Sequence, residues 1–125
     1  MNQKVVFSII ESPLHPDFTR LYHSLNIENL QFNSMRKALS HLKKQKPDFV
    51  VAEFFYGYGN NYAGVNVSNL DVFLCSLQKD APEAKVIVMV EKEERKHVSK
   101  LAELFILHAV LQHPVSSERM SECLR

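Results

Sequence analysis

Only two cysteines occur in the 125 residues, Cys75 and Cys123, and neither has a second Cys or a His at close spacing. That excludes a disulfide framework and a zinc knuckle, and two free thiols fit a reducing cytoplasm. Charge of either sign is not in surplus: fifteen Lys and Arg face fourteen Asp and Glu, a formal net charge of +1. A protein that coats nucleic acid or anionic lipid normally carries a strong basic excess. Direct nucleic-acid binding by this chain is therefore not expected, and neither is membrane association. Long apolar runs are missing too. A membrane span needs about 20 apolar residues, whereas the opening MNQKVVFSIIES has one Lys and a short apolar run before Glu11, too little for a signal peptide. Hydrophobic residues at 46% and charged residues at 23% supply one ordinary core without a metal or disulfide staple. The expectation is a cytoplasmic protein with residues 1–125 forming a single domain.

What is present is an alternation of two apolar patterns. Val5–Ile10 is a short continuous run that reads as a buried strand. Pro16 suits a first helical position, and Phe18, Leu21, Tyr22 and Leu25 then follow at i, i+3, i+4, i+7. Leu30–Phe32 predicts a brief strand. With Asn33 or Ser34 as N-cap, Met35, Ala38, Leu39 and Leu42 predict a second helix ending in Lys43, Lys44 and Lys46, where cations suit a helix C-terminus. Pro47-Asp48 breaks the chain before the apolar strand Phe49–Phe55. Ser68 with Asp71 three residues on resembles a capping box opening a helix through Leu70, Phe73, Leu74 and Leu77. Val86–Val90 is a second strong strand, Val98, Leu101, Ala102 and Phe105 are again helical, and Ala109–Leu111 reads as a last strand. Pro114 then precedes a short helix carrying Met120, Cys123 and Leu124. Strands apolar throughout belong to a parallel sheet covered on both faces. Five strands alternating with five helices therefore predict an α/β, three-layer, doubly wound sheet of order 2-1-3-4-5.

The search for chemistry is mostly negative. All three glycines fall in YGYGNNYAG after the third predicted strand, but Gly57-Tyr58-Gly59 lacks the third glycine of a dinucleotide fingerprint. No phosphate-binding GK[ST] and no G-x-S-x-G elbow is present. The six histidines show no two-ligand spacing on one helix face, with His23 and His41 expected on or beside exposed faces, and no metal or cofactor is expected. The loop through Tyr56, Tyr58, Asn60 and Tyr62 lies at the carboxyl edge of a central strand, where open α/β sheets bind ligands. It reads either as a small-molecule loop or as an extended surface loop with packed tyrosines. Glu11 and Ser12 follow the first strand, Glu53 lies near the end of the third, Glu91 follows the fourth and His113 the fifth, so these residues could converge. No motif holds Ser12 as a nucleophile, so no catalytic residue is assigned and an enzyme is not expected.

Three local motifs carry a resemblance covering Lys4 to Leu124. Pro47-Asp48-Phe49-Val50-Val51-Ala52-Glu53 is similar to the P-D-[apolar]4-D run of bacterial response regulator receiver domains, with Glu53 where the phosphoacceptor Asp belongs. Lys85–Val90 resembles their fourth strand, with Val90 in place of a Thr or Ser. Leu111-Gln112-His113-Pro114 resembles their L-x-K-P, with His113 in place of Lys and a cis His113–Pro114 bond implied. The resemblance implies a receiver-like, flavodoxin-like fold. Phosphotransfer in such domains uses Mg²⁺ held by acidic side chains. Here Glu11 is the one acid that the end of the first strand supplies, and Glu53, Val90 and His113 all depart from the pattern.

These departures imply a pseudo-receiver: a phosphorylation-independent protein-interaction module in two-component-type signalling or gene regulation. Glu53 reads either as a phosphoryl mimic or as a carboxylate tied up by local hydrogen bonds or by His113. The contact face implied by the resemblance is the fourth helix, fifth strand and fifth helix, with Lys96, Lys100, Glu103, Val110 and Arg119, through which a protein partner or a second copy would dock. Two alternatives stay open. One is a small-molecule-binding domain using residues 56–64, and the other is a receiver that still accepts a phosphoryl group.

Overall fold

Strand β1 (Lys4–Ile9) is an inner strand of the sheet in the computed structural model, which describes residues 3–13, 15–56 and 68–124. It pairs in parallel with β2 (Ile27–Phe32) on one side and β3 (Phe49–Glu53) on the other. β4 (Lys85–Val90) and β5 (Ala109–Gln112) continue the sheet, in the order β2-β1-β3-β4-β5. The connecting helices are α1 (Thr19–Ser24), α2 (Met35–Leu42), α3 (Asp71–Asp80), α4 (Arg95–Ala102) and α5 (Ser117–Cys123), with a 3₁₀ turn over Lys92–Glu94 before α4. This is the architecture expected from the alternating patterns.

Side chains alternate across a strand, so an apolar run feeds two cores. Val5, Phe7, Ile9, Val50, Ala52, Val86, Val88 and Val90 face a layer containing Ala38 and Leu42 of α2, Phe73, Leu74 and Leu77 of α3, and Val98 and Leu101 of α4. Val6, Phe49, Val51, Ile87 and Met89 face the other way, against Tyr22 of α1 and Met120 of α5. The same alternation sends Glu53, two positions beyond Val51, towards the α1/α5 side at the carboxyl edge of the sheet.

Several boundaries differ from the sequence-based expectation. α1 starts at Thr19 rather than at Pro16, because the Asp17 carboxylate accepts the Thr19 N–H at 3.0 Å and closes a turn first. β2 reaches back to Ile27, since β1 pairs with it along its whole length; its polar residues mark an edge strand. β3 ends at Glu53 rather than Phe55, because the Phe55 N–H leaves the sheet for the Asn69 side chain at 2.8 Å. α4 stops at Ala102, and Phe105 lies in the following connection, its N–H on the Leu101 carbonyl at 3.0 Å. His41 is half-buried beside the exposed face of α2, edge-on to Phe7 at 5.7 Å and near Phe32 at 5.4 Å. Ser34, not Asn33, caps α2, accepting from the Lys37 N–H at 3.2 Å. Before α3, Asp71 accepts from the Ser68 N–H at 2.7 Å and the Ser68 hydroxyl at 2.9 Å, while the Ser68 oxygen accepts from Leu70 N–H at 3.1 Å. Half of the capping box is thus in place, one turn ahead of the regular helix.

Candidate functional site

Parallel strands deliver their carboxyl ends to one edge, and here that edge gathers Glu11, Ser12, His15, Glu53, Asn69, Glu91 and His113. Glu53 is 2% exposed. Its Oε1 accepts the backbone N–H of Glu11 at 3.3 Å and of Ser12 at 3.1 Å, and its Oε2 accepts the Ser12 hydroxyl at 2.5 Å. Both oxygens are therefore engaged by the chain leaving β1. Glu11 is bound in turn: Asn69 Nδ2 donates to its Oε1 at 3.0 Å and to the Glu53 carbonyl at 2.8 Å. Partial burial pushes the Glu11 carboxyl above its ordinary range; the Asn69 bond opposes that and the Glu53 charge adds to it.

His15 stands on the rim of this edge. Its Nδ1 lies 2.7 Å from the Pro16 carbonyl, which can only accept, so Nδ1 carries the proton. Its Nε2 is buried and has no hydrogen-bond partner among the described residues. Burial holds the His15 pKa below the usual imidazole range; the Pro16 carbonyl and the Glu53 charge oppose this and His113 reinforces it. His15, Glu91 and His113 line an open groove with Pro13, Pro16, Pro114 and Val115. His113 donates its backbone N–H to the Val90 carbonyl at 2.9 Å, and the His113–Pro114 bond is cis. Val90 is 1% exposed and packed in the α2/α3/α4 layer, offering the edge no hydroxyl.

Tyr56 connects this edge to α4. Its ring stacks on His97 at 3.7 Å and 9°, its hydroxyl receives Lys100 Nζ at 3.1 Å, and its N–H reaches Glu94 Oε1 at 3.0 Å. Tyr58, Asn60 and Tyr62 of the candidate ligand loop lie outside the described residues. Lys96, Lys100, Glu103 and Arg119 are exposed, while Val110 is half-buried against the α2/α3/α4 layer. The structure brings Glu11, Ser12 and Glu53 into contact and joins Tyr56 to Lys100. Two participants lay outside the sequence reading. Asn69 sits in no motif, and His15 between Pro13 and Pro16 gave no ligand spacing.

A receiver-type Mg²⁺ site can be tested on these side chains. Among the described residues no group of three or more His, Cys, Asp or Glu is arranged to hold an ion. The two nearest carboxylates already accept from Ser12, the Glu11 and Ser12 amides and Asn69. The residues do not fit the metal.

No family model and no curated protein matches this sequence. Among solved structures the chain is similar to a CheY-like response regulator receiver domain protein of Methanospirillum hungatei JF-1, at 12% identity and TM-score 0.74 over 98% of this chain and 91% of that one. It is similar to the chemotaxis protein CheY4 of Vibrio cholerae at 12% identity and TM-score 0.71, covering 98% and 97%. A response regulator receiver protein of Burkholderia phymatum matches at 19% identity and TM-score 0.67, covering 94% and 89%. Together with the strand order and the placement of Glu53, this likeness establishes that the chain has the fold of response regulator receiver domains.

Proposed function

We propose that this chain is a pseudo-receiver, a phosphorylation-independent protein-interaction module of two-component-type signalling or gene regulation. The observation that carries the reading is the state of Glu53. A phosphoacceptor carboxylate needs a free oxygen facing solvent and a neighbouring cation. Glu53 is buried, both of its oxygens accept from the β1–α1 connection, and positions 90 and 113 carry a Val and a His where the resemblance implies a hydroxyl and a Lys. What the fold keeps is its surface, and by the resemblance the α4–β5–α5 face with Lys96, Lys100, Glu103, Val110 and Arg119 is the contact face for a protein partner or a second copy.

The test is a thermal-shift titration with Mg²⁺, with and without beryllofluoride. A ligand that binds only the native state at a hundred times its Kd adds about 2.7 kcal/mol. No Mg²⁺-dependent rise is expected, whereas a clear rise would return phosphotransfer to the lead. For the contact face, sedimentation velocity and cross-linking of Lys100→Glu with Arg119→Glu should lose an association that the unaltered chain shows without any phosphodonor. An association that needs a phosphodonor would overturn the reading.

A further inference from the structure

The near-neutral total hides a segregation of charge. Between Glu28 and Asp48 the chain has no carboxylate, yet it carries Arg36, Lys37, Lys43, Lys44 and Lys46. Setting these five aside leaves ten of the fifteen Lys and Arg against fourteen Asp and Glu, so this stretch is +5 while the rest is −4.

Folding gathers most of the segment's charge onto one surface. α2 buries Ala38 and Leu42 and half-buries Met35 and Leu39, while Arg36, Lys37, Ser40, Lys43 and Lys44 are exposed. At about 100° per residue these five positions fall within an arc of roughly 120°. Lys43 keeps helical backbone as the C-cap, and the Lys44 N–H closes the turn on the His41 carbonyl at 2.8 Å. Arg36 with Lys43, and Lys37 with Lys44, are each two turns apart, about 10.5 Å along the axis. Lys46 extends the patch just beyond. No ion pair joins any of these five cations to a carboxylate among the described residues.

The arrangement also breaks a local rule. Cations suit the last turn of a helix, but the first turn favours acids because of the exposed N–H groups and the macrodipole. α2 has no acid in its first turn and places Arg36 and Lys37 there. Positive charge at that end works against the helix; the Ser34 hydroxyl caps the Lys37 N–H, but no carboxylate among the described residues neutralises the two cations. Residues that break a local rule without a structural return mark a function elsewhere.

We infer that the outer face of α2 is a docking surface for an acidic protein segment, one presenting carboxylates over two helical turns. This goes beyond the proposed α4–β5–α5 face and does not depend on its use. The exposed arc carries no aromatic ring on which a nucleic-acid base could stack and no apolar side chain that could enter a lipid interface. The net −4 of the remaining chain opposes an extended polyanion running past the patch, whereas a short acidic segment meets the cations alone.

The experiment measures fluorescence anisotropy of a labelled Ala/Glu helical peptide with the full chain, using a short DNA duplex and phosphatidylserine vesicles as comparison ligands. The peptide should bind at low salt, weaken as salt is added, and lose roughly tenfold or more in affinity in Lys43→Glu/Lys44→Glu. Arg36→Glu/Lys37→Glu should lose binding similarly while its melting temperature rises, because acids then occupy the first turn. A folding defect cannot produce that opposition. The proposal is overturned if the peptide does not bind at low salt, if binding survives both double substitutions, or if duplex or vesicles bind more tightly through these same residues.

Discussion

Ser12→Ala tests the side-chain contact that engages the second oxygen of Glu53. The substitution removes the hydroxyl that donates to Glu53 Oε2 at 2.5 Å and leaves the backbone donors of Glu11 and Ser12 in place. A hydrogen bond to a charged group contributes about 1.5–3 kcal/mol, more than a neutral one. With roughly 2.1 cal/mol/K of unfolding entropy per residue, this chain should lose about 4 °C per kcal/mol, so a fall of about 6–11 °C is expected. Glu53→Gln should fall at least as far, because its amide nitrogen cannot accept and must face one of three donors. If Ser12 and Glu53 act on one another, the double variant loses less than the sum of the singles, by about 1 kcal/mol or more. Urea unfolding at neutral pH supplies all four corners of the cycle. A Ser12→Ala shift below about 2 °C, or additivity within about 0.5 kcal/mol, would refute the assignment of Glu53 as a structural acceptor.

Burial pushes the Tyr22 phenol up to about 12, with the Ser8 hydroxyl opposing it, and the Tyr22 hydroxyl makes no well-formed hydrogen bond among the described residues; Tyr22→Phe should hold or raise the melting temperature, and a loss above about 1 kcal/mol would contradict this. Asn26 sits at φ 58 between α1 and β2, so Asn26→Val should cost about 1–2 kcal/mol in urea unfolding while Asn26→Gly should not. Folding holds the His15 pKa below that of the unfolded chain, near about 6.5. The unfolded state therefore binds more protons, stability is full above that pH and drains away as pH falls. His15→Gln should flatten this slope between neutral and mildly acid pH, and an unchanged slope would count against it. Glu53→Asp draws the carboxylate back by about 1.5 Å and should lower the melting temperature without creating any response to Mg²⁺ and beryllofluoride.

The strand order was legible because Val5–Ile10, Phe49–Phe55 and Val86–Val90 are apolar on both faces, a pattern that only a doubly covered parallel sheet uses fully. Boundaries were less legible where a side chain captured the backbone: Asp17 delays α1, and Asn69 draws Phe55 off β3. Spacing along the chain encodes neither event. The position of Glu53 was readable from P-D-[apolar]4-E, but its hydrogen bonds were not. They depend on a chain reversal after β1 that brings Ser12 beneath a residue 41 positions away. His15 escaped notice for a related reason. Its burial, and the smaller influence of the Glu53 and His113 charges, arise only once the sheet edge is folded.

Glu and Asp differ by one methylene, and at this edge that methylene changes what the carboxylate can meet. The longer Glu53 reaches across to the β1–α1 connection and finds the Glu11 and Ser12 amides together with the Ser12 hydroxyl. Once a buried carboxylate is satisfied from three donors, exposing it to a metal or a phosphodonor means losing those bonds first. The neighbouring residues leave the edge few free polar groups. Val90 turns into the α2/α3/α4 core, and Asn69 ties Glu11 to the Glu53 carbonyl rather than leaving two bare carboxylates side by side. Both carboxylates are thereby tied to the backbone and side chains of the edge, while His15 Nε2 stays without a partner among the described residues. On the proposed reading, recognition of a partner falls to the surface, where the α2 cations and the Tyr56–His97–Lys100 cluster lie.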